Sequence, residues 1–215
     1  MAHLIPADIS KLELTDSENP EHETLAVLHA GLSDDYSVFH SVHWSRSYER
    51  YTVFGEIDFV IVNQSGDVLL IEQKNGKLEE TDQGLVKWYG SEDKSVVGQM
   101  NRSLNQIRNK FQYLHGKAAE PNYFFVLYCP DYRVKNVNAA GLDEDCIIDA
   151  TSKSKLSSIV EDKLGAGTFN EYQRKRVVGF FAQSYHLVID IHAREAGLNK
   201  RYKELASNLV EVIRN

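Results

Sequence analysis

Hydrophobic and polar positions along the chain follow two periods, and the switches between them mark the elements. From Pro20 to Leu32 the period is helical: Glu21, Leu25, Leu28 and Leu32 fall on one face at steps of four, three and four. Pro20 suits a first helical turn, Glu21 and Glu23 suit its positive end, and Ser33-Asp34-Asp35 breaks it. The preceding residues, 1–19, mix short apolar and acidic pieces and read as a partly ordered lead-in. Tyr36 to Trp44 reads as a strand with Val38, His40 and Val42 on one side. Ile57 to Val62 is an apolar strand, Asn63-Gln64-Ser65-Gly66 a turn, and Asp67 to Lys74 the returning strand. Val68, Leu69, Leu70 and Ile71 are apolar in succession, which predicts a strand covered on both faces and places this hairpin in the middle of a sheet.

Residues 75–95 are polar and contain glycine, and read as a loop or a short extra hairpin carrying Trp88 and Tyr89. The strongest helical signal follows: Val97, Met100, Leu104, Ile107, Phe111 and Leu114 recur at three and four, and Gly116 ends the run. Tyr123 to Cys129 is an apolar strand of the kind that follows a crossover helix, so it predicts a parallel neighbour. Cys146-Ile147-Ile148-Asp149 predicts one more short strand. From residue 154 the character is helical: 154–164, 170–186, and an amphipathic helix over 198–213 on Leu198, Tyr202, Leu205, Leu209 and Val212. The expectation is an α/β body over residues 1–153, with a mixed central sheet flanked by helices, and a helical extension over 154–215.

Composition narrows the function. With 42% hydrophobic and 26% charged residues the chain is that of an ordinary soluble domain. Twenty-four basic residues against 31 acidic give −7, which argues against a protein that coats nucleic acid by charge alone. It does not exclude an enzyme that meets phosphates through a bound cation, because such a site is itself built of carboxylates. Two cysteines, Cys129 and Cys146, make neither a disulfide framework nor a four-thiolate zinc site, and a reducing compartment fits them. The longest apolar run has seven residues, Tyr123 to Cys129, far short of a membrane span. The N-terminus lacks the pattern of a signal peptide, and the expected location is cytoplasmic.

The chemistry concentrates in residues 55–78. Asp58 opens one strand of the hairpin, and Glu72 and Lys74 close the other. Positions two apart share a face, so Glu72 and Lys74 project together while Gln73 points away. The fold-back of the hairpin brings them near Asp58. Two carboxylates and a lysine at one rim of an apolar sheet are what metal-assisted phosphodiester hydrolysis needs: carboxylate oxygens for a hard cation, and an ammonium group beside the attacking water. A cross-strand surface ion pair explains Glu72 and Lys74 equally well by spacing alone. Charge inside an otherwise buried hairpin weighs against that reading, because unpaired buried charge is costly. Gly55, just before Glu56 and Asp58, suits a close backbone approach.

The run Gly-Glu-Ile-Asp-Phe-Val, the hairpin, and then Leu-Leu-Ile-Glu-Gln-Lys-Asn-Gly resembles the nuclease-related domain, NERD, of the PD-(D/E)xK restriction-endonuclease-like group. The resemblance covers residues 20–130 or so, and the stretch from Leu32 to Val42 also fits it. It implies a restriction-endonuclease-like α/β fold and a nuclease dependent on Mg²⁺ or Mn²⁺. Asp58 and Glu72 would be metal ligands with the backbone carbonyl of Gln73 as a third, and Lys74 the catalytic lysine. Glu21 on the first helix would face the site, with Glu23 in reserve, Gln99 near the start of the long helix would support it, and Glu56 would be a further acidic neighbour. No proline precedes Asp58; Ile57 stands there. The tail, from Phe169 onward, is similar to the segment that links such a domain to a UvrD-like superfamily 1 helicase, yet no P-loop motif occurs in the chain.

Other signals carry less. His40 and His43, three apart in a strand, are expected on opposite sides and make a poor zinc pair. Arg174-Lys175-Arg176 reads as a solvated helix face, and Trp88 and Tyr89 as structural aromatics. The expected function is cleavage of phosphodiester bonds, in DNA, with a dimer favoured for two-strand cutting. The alternative is a catalytically degenerate module that binds nucleic acid or docks beside a helicase.

Overall fold

The apolar hairpin does form the middle of the sheet. A computed structural model describes residues 1–5, 20–47, 52–82, 84–89, 92–137 and 141–182. In chain order the elements are β1 (His3–Ile5), α1 (Pro20–Gly31), β2 (Ser37–Ser47), β3 (Thr52–Val62), β4 (Val68–Gln73), β5 (Glu79–Thr81), β6 (Gly84–Tyr89), β7 (Glu92–Ser95), α2 (Val96–His115), β8 (Tyr123–Cys129), β9 (Ile147–Asp149) and α3 (Leu156–Leu164). A fourth helical segment, α4, runs over 171–182. Six strands make a mixed sheet in the order β1-β2-β3-β4-β8-β9. β2, β3 and β4 are antiparallel neighbours, whereas β4, β8 and β9 run parallel. The parallel β4–β8 pair is the one the crossover pattern predicts, with α2 in the connection. The apolar run of β4 is buried from Val68 to Gln73 on both faces.

Each face is covered by two helices. On one face Leu25, Leu28 and Leu32, from α1 and the turn after it, and Leu156, Val160 and Leu164 of α3 pack on Val38, Phe59, Ile61, Leu69 and Ile71. On the other, Ile107 and Phe111 of α2 with Val177, Phe180 and Phe181 of α4 pack on Phe39, Val42, Val60 and Leu70. The division expected near residue 153 falls between β9 and α3, and both helices beyond it lend side chains to these cores. The amphipathic helix expected over 198–213 and the rest of the helicase-linker resemblance lie outside the described residues. Among the described residues no helix is long and apolar enough to cross a membrane.

Three expectations change. Residues 3–5 form a strand parallel to β2, tied to α1 by the bond from Ala2 N–H to the His29 carbonyl at 3.2 Å. The region read as a loop or a short hairpin carries three strands, β5-β6-β7, in an antiparallel sheet seated on the body through Leu78, Leu85, Val96, Met100 and Leu127. The facing of β2 is not constant either. Val38 and His40 look toward α1, but Val42 and Trp44 look toward α2. Ser41 causes the change: its φ is 54°, the left-handed region, which costs an L-residue about 1–2 kcal/mol. The register of β2 with β3 is unbroken on either side, His40 opposite Phe59 and Val42 opposite Ile57, and only the pair between them is missing from the ladder. The partner in that missing pair is Asp58. β3 inverts in step, with Ile57 facing α2 and Phe59 facing α1.

Candidate active site

The hairpin builds the site by coming apart. Main-chain pairing of β3 with β4 runs from Val62–Val68 to Phe59–Ile71 and stops. The next pair would be Asp58 and Glu72. Instead the Gln73 N–H donates to Asp58 Oδ2 at 2.6 Å, so a carboxylate takes the place of a ladder carbonyl. β8 keeps β4 extended on its other side: Glu72 and Gln73 stay in register with Leu127 and Tyr128, and the Lys74 N–H donates to the Tyr128 carbonyl at 2.8 Å. Because β4 stays extended, Glu72 and Lys74 share a face. Asp58 therefore lies within β3 rather than at its opening, at the point where both of its neighbours loosen.

Glu72 is 3% exposed and Lys74 6%. The Lys74 ammonium donates to Glu72 Oε1, and Gln99 Nε2 donates to the same oxygen at 2.5 Å. Gln99 stands in the first turn of α2, whose entry is fixed by Ser95 Oγ accepting the Gly98 N–H at 3.1 Å. Gln73 points away from this pair, its amide donating to Asn75 Oδ1 at 2.8 Å. Asp58, Glu72, Lys74, Gln73 and Gln99 thus come together as expected. Glu21 lies near enough for its charge to act on both Asp58 and Glu72, and Glu56 on Glu72.

Glu21 has a partner that strand alternation does not predict. Its Oε2 lies 2.9 Å from Nε2 of His40, a ring 6% exposed and set 5.2 Å from that of Phe59. Plain alternation gives His40 the wrong neighbours, because the inversion at Ser41 comes directly after it. The same inversion puts His40 and His43 on one side of β2, where His43 lies 3.7 Å from Glu56. Gly55 makes a close approach to Trp44 rather than to the site: a Cβ there would stand 2.2 Å from the indole ring. Trp44 in turn donates to Ser103 Oγ of α2 at 3.2 Å.

The electrostatics follow from burial. Desolvation, and then the charge of Glu72, push the Asp58 carboxyl up to about 8, although Lys74 and the Gln73 N–H pull it down. Burial raises Glu72 as well, against the pull of Lys74. The rise from 3.8 to about 8 means that the site resists ionisation of Asp58. The site is therefore short of positive charge. One lysine faces two carboxyls, Glu72 buried and Asp58 partly exposed, with Glu21 and Glu56 beside them. This donor set fits a hard divalent cation, which takes one or two carboxylates and completes its shell with water and substrate oxygens. Among the described residues there is no cluster of three or more acidic, histidine or cysteine side chains with metal-holding geometry. A pair of carboxylates and a carbonyl does not depend on one.

A groove of about 630 Å³ lies elsewhere, between the loop after β8 and α3. Several of its polar groups are engaged within the fold: Asp149 accepts the Val134 and Thr151 N–H groups at 3.0 and 2.8 Å, and Lys163 pairs with Asp145 at 2.7 Å. The candidate site lies instead where the end of β4 meets the middle of β3.

Comparison with known proteins bears on this region. The family model for the nuclease-related domain matches residues 17–129, just over half of the chain. No curated protein and no solved structure matches the chain. The matched span holds Asp58, Glu72, Lys74, Glu21 and Gln99, and the chain belongs to the nuclease-related domain family.

Proposed function

We propose that the protein is a nuclease of the PD-(D/E)xK kind that hydrolyses phosphodiester bonds in DNA with Mg²⁺ or Mn²⁺. The observation that carries this reading is the opening of the β3–β4 ladder at Asp58 and Glu72, with Lys74 on the same face as Glu72 and two carboxyls set against one lysine. Asp58, Glu72 and the carbonyl of Gln73 are the groups that hold the cation. When bound, it polarises phosphoryl oxygens and lowers the pKa of a coordinated water toward neutrality. Lys74 places its ammonium group beside the reacting phosphate, where it orients the water and stabilises charge that develops on the phosphoryl oxygens. Gln99 fixes the Glu72 carboxylate, and Glu21, steadied by His40, adds negative charge at the rim.

The test is cleavage of supercoiled plasmid and labelled single strands with Mg²⁺, Mn²⁺ or EDTA, beside Glu72→Ala and Lys74→Ala prepared identically. Metal-dependent cutting lost in both variants supports the enzyme, and cutting that survives in them overturns the assignment. A second reading, a binding module beside a helicase, is favoured by the net charge of −7. Nucleic-acid binding without turnover in every metal would select it.

A further inference from the structure

The small sheet β5-β6-β7 sets two lysines side by side. Lys87 of β6 and Lys94 of β7 are directly opposite each other in antiparallel pairing, so they share a face. Like charges in that position destabilise a ladder. Leu85, two residues before Lys87, is fully buried against the body, so the face that seats the small sheet is the face that carries Lys87 toward the site. The Lys87 ammonium donates to the carbonyl of Asn75, one residue beyond Lys74. It stands close enough to Lys74 that the two charges repel, which together with burial holds Lys87 below the usual lysine range. Asp131 opposes this only in part, and its carboxylate already accepts the Gly76 N–H at 2.8 Å. Among the described residues no carboxylate pairs with Lys87. The end of β4 and the neighbouring small sheet thus bring ammonium groups together at one rim, in a chain that is acidic overall.

We propose that Lys87, with Lys94 beyond it, binds the phosphate backbone next to the bond that Lys74 addresses. The small sheet is then the arm that guides a phosphodiester chain into the site. This inference rests on the nuclease reading for its substrate class but not on turnover. An anionic chain relieves the Lys87–Lys74 repulsion. Free phosphate would meet the same ammonium groups, but only a chain reaches Lys74, Lys87 and Lys94 together.

The experiment is binding of a labelled oligonucleotide, single-stranded and duplex, with Ca²⁺ in place of Mg²⁺, over a series of KCl concentrations. Each phosphate that a variant no longer neutralises lowers the slope of log K against log salt by about 0.7 for single strands and about 0.9 for duplex. Lys87→Gln should show that decrease, Lys87→Gln with Lys94→Gln about twice it, and Lys87→Arg a slope close to the parent. Inorganic phosphate added at constant ionic strength should compete only weakly. In cleavage the Lys87→Gln variant should raise KM several-fold and leave kcat nearly unchanged. Parent-like slopes in Lys87→Gln, at an unchanged melting temperature, overturn the proposal. If Lys87→Gln melts lower, the exposed Lys94→Gln decides, and a parent-like slope there overturns it. Cutting lost in Lys74→Ala, with parent-like binding in Lys87→Gln, leaves the nuclease and removes this arm. Binding that depends on Lys87 in a protein that never cuts does the reverse. A parent chain that binds neither oligonucleotide overturns both.

Discussion

Glu72 receives two donors on one oxygen, Lys74 and Gln99, and it sits under the rim of the sheet, almost wholly shielded from solvent. Gln99 therefore acts through Glu72 by fixing where its carboxylate points. Groups that orient a metal-holding side chain typically account for about 10–100-fold in metal affinity or activity. Gln99→Ala should lose activity in that range and need more Mn²⁺ for half-maximal rate, whereas Gln99→Glu, which adds a fifth nearby carboxylate, should lose more. A full rate at unchanged metal requirement in Gln99→Ala would remove it from the site. Asp58 makes a prediction about pH. Its folded-state pKa is raised from 3.8 to about 8, so between those values the folded chain keeps a proton that the unfolded chain has lost. Stability from this group is greatest below about pH 4 and falls as pH rises toward 8. Asp58→Asn removes that dependence. In EDTA it should melt above the parent at pH 8, with the gap closing toward pH 4. Mg²⁺ should raise the parent's melting temperature at pH 8 and leave the variant's nearly unmoved. A parent that becomes more stable from pH 5 to 8 in EDTA, relative to the variant, would contradict the burial argument.

The element that makes the site is β2 as much as the hairpin, because Ser41 sits where the β2–β3 ladder lets go of Asp58. A left-handed residue in mid-strand needs the surrounding structure to hold it, and such strain gathers at functional positions. Ser41→Gly accepts φ 54° without a Cβ and should hold or raise stability by up to about 1 kcal/mol. Ser41→Val, branched at Cβ, should lose about 1–3 kcal/mol and activity with it. Urea unfolding of both measures this, and equal stability in the two would mean the turn is not constrained. The same residue marks the limit of what the sequence discloses. Asp58, Glu72 and Lys74 were legible because the strand period and the fold-back of the hairpin put them at one rim, whereas Gln99 was legible only through the resemblance to a known family. The β4–β8 parallel pair was legible because an apolar strand follows an amphipathic helix. The Glu21–His40 pair was not, since period-2 alternation assumes an uninterrupted strand and nothing about Ser41 announces a left-handed backbone. The β5-β6-β7 sheet was legible only as a loop or a short hairpin, for another reason. Its strands are short, polar outside Leu85, Val86, Trp88 and Tyr89, and owe their shape to seating on α2 and β8 rather than to local pattern.

At the scale of the whole molecule, the two faces of the central sheet depend on helices that lie beyond the matched family region. Leu156, Val160 and Leu164 of α3 close the α1 side, and Val177, Phe180 and Phe181 of α4 close the α2 side; all are nearly or wholly buried. At about 1.5–3 kcal/mol for each buried apolar side chain, these six contribute on the order of 9–18 kcal/mol. A whole domain is stable by only about 5–15 kcal/mol. Removing the helices also removes the conformational entropy cost of ordering them. The cut bares apolar positions beneath them, including Phe39, Phe59, Ile61 and Phe111. A chain ending at residue 153 should therefore lose its cooperative urea transition and bind a hydrophobic dye, whereas the full chain should unfold cooperatively and leave the dye dark. Asn63 adds to the attachment, its side-chain amide donating to the Leu164 and Gly165 carbonyls at 3.2 and 3.1 Å. A shortened chain that unfolds in one transition, leaves the dye dark and cuts DNA would show that residues 1–153 are a domain complete without the helices. Lost activity with an intact transition would place a needed residue in α3 or α4 instead. Loss of the transition would mean that these helices hold the sheet on which Asp58 and Glu72 are set.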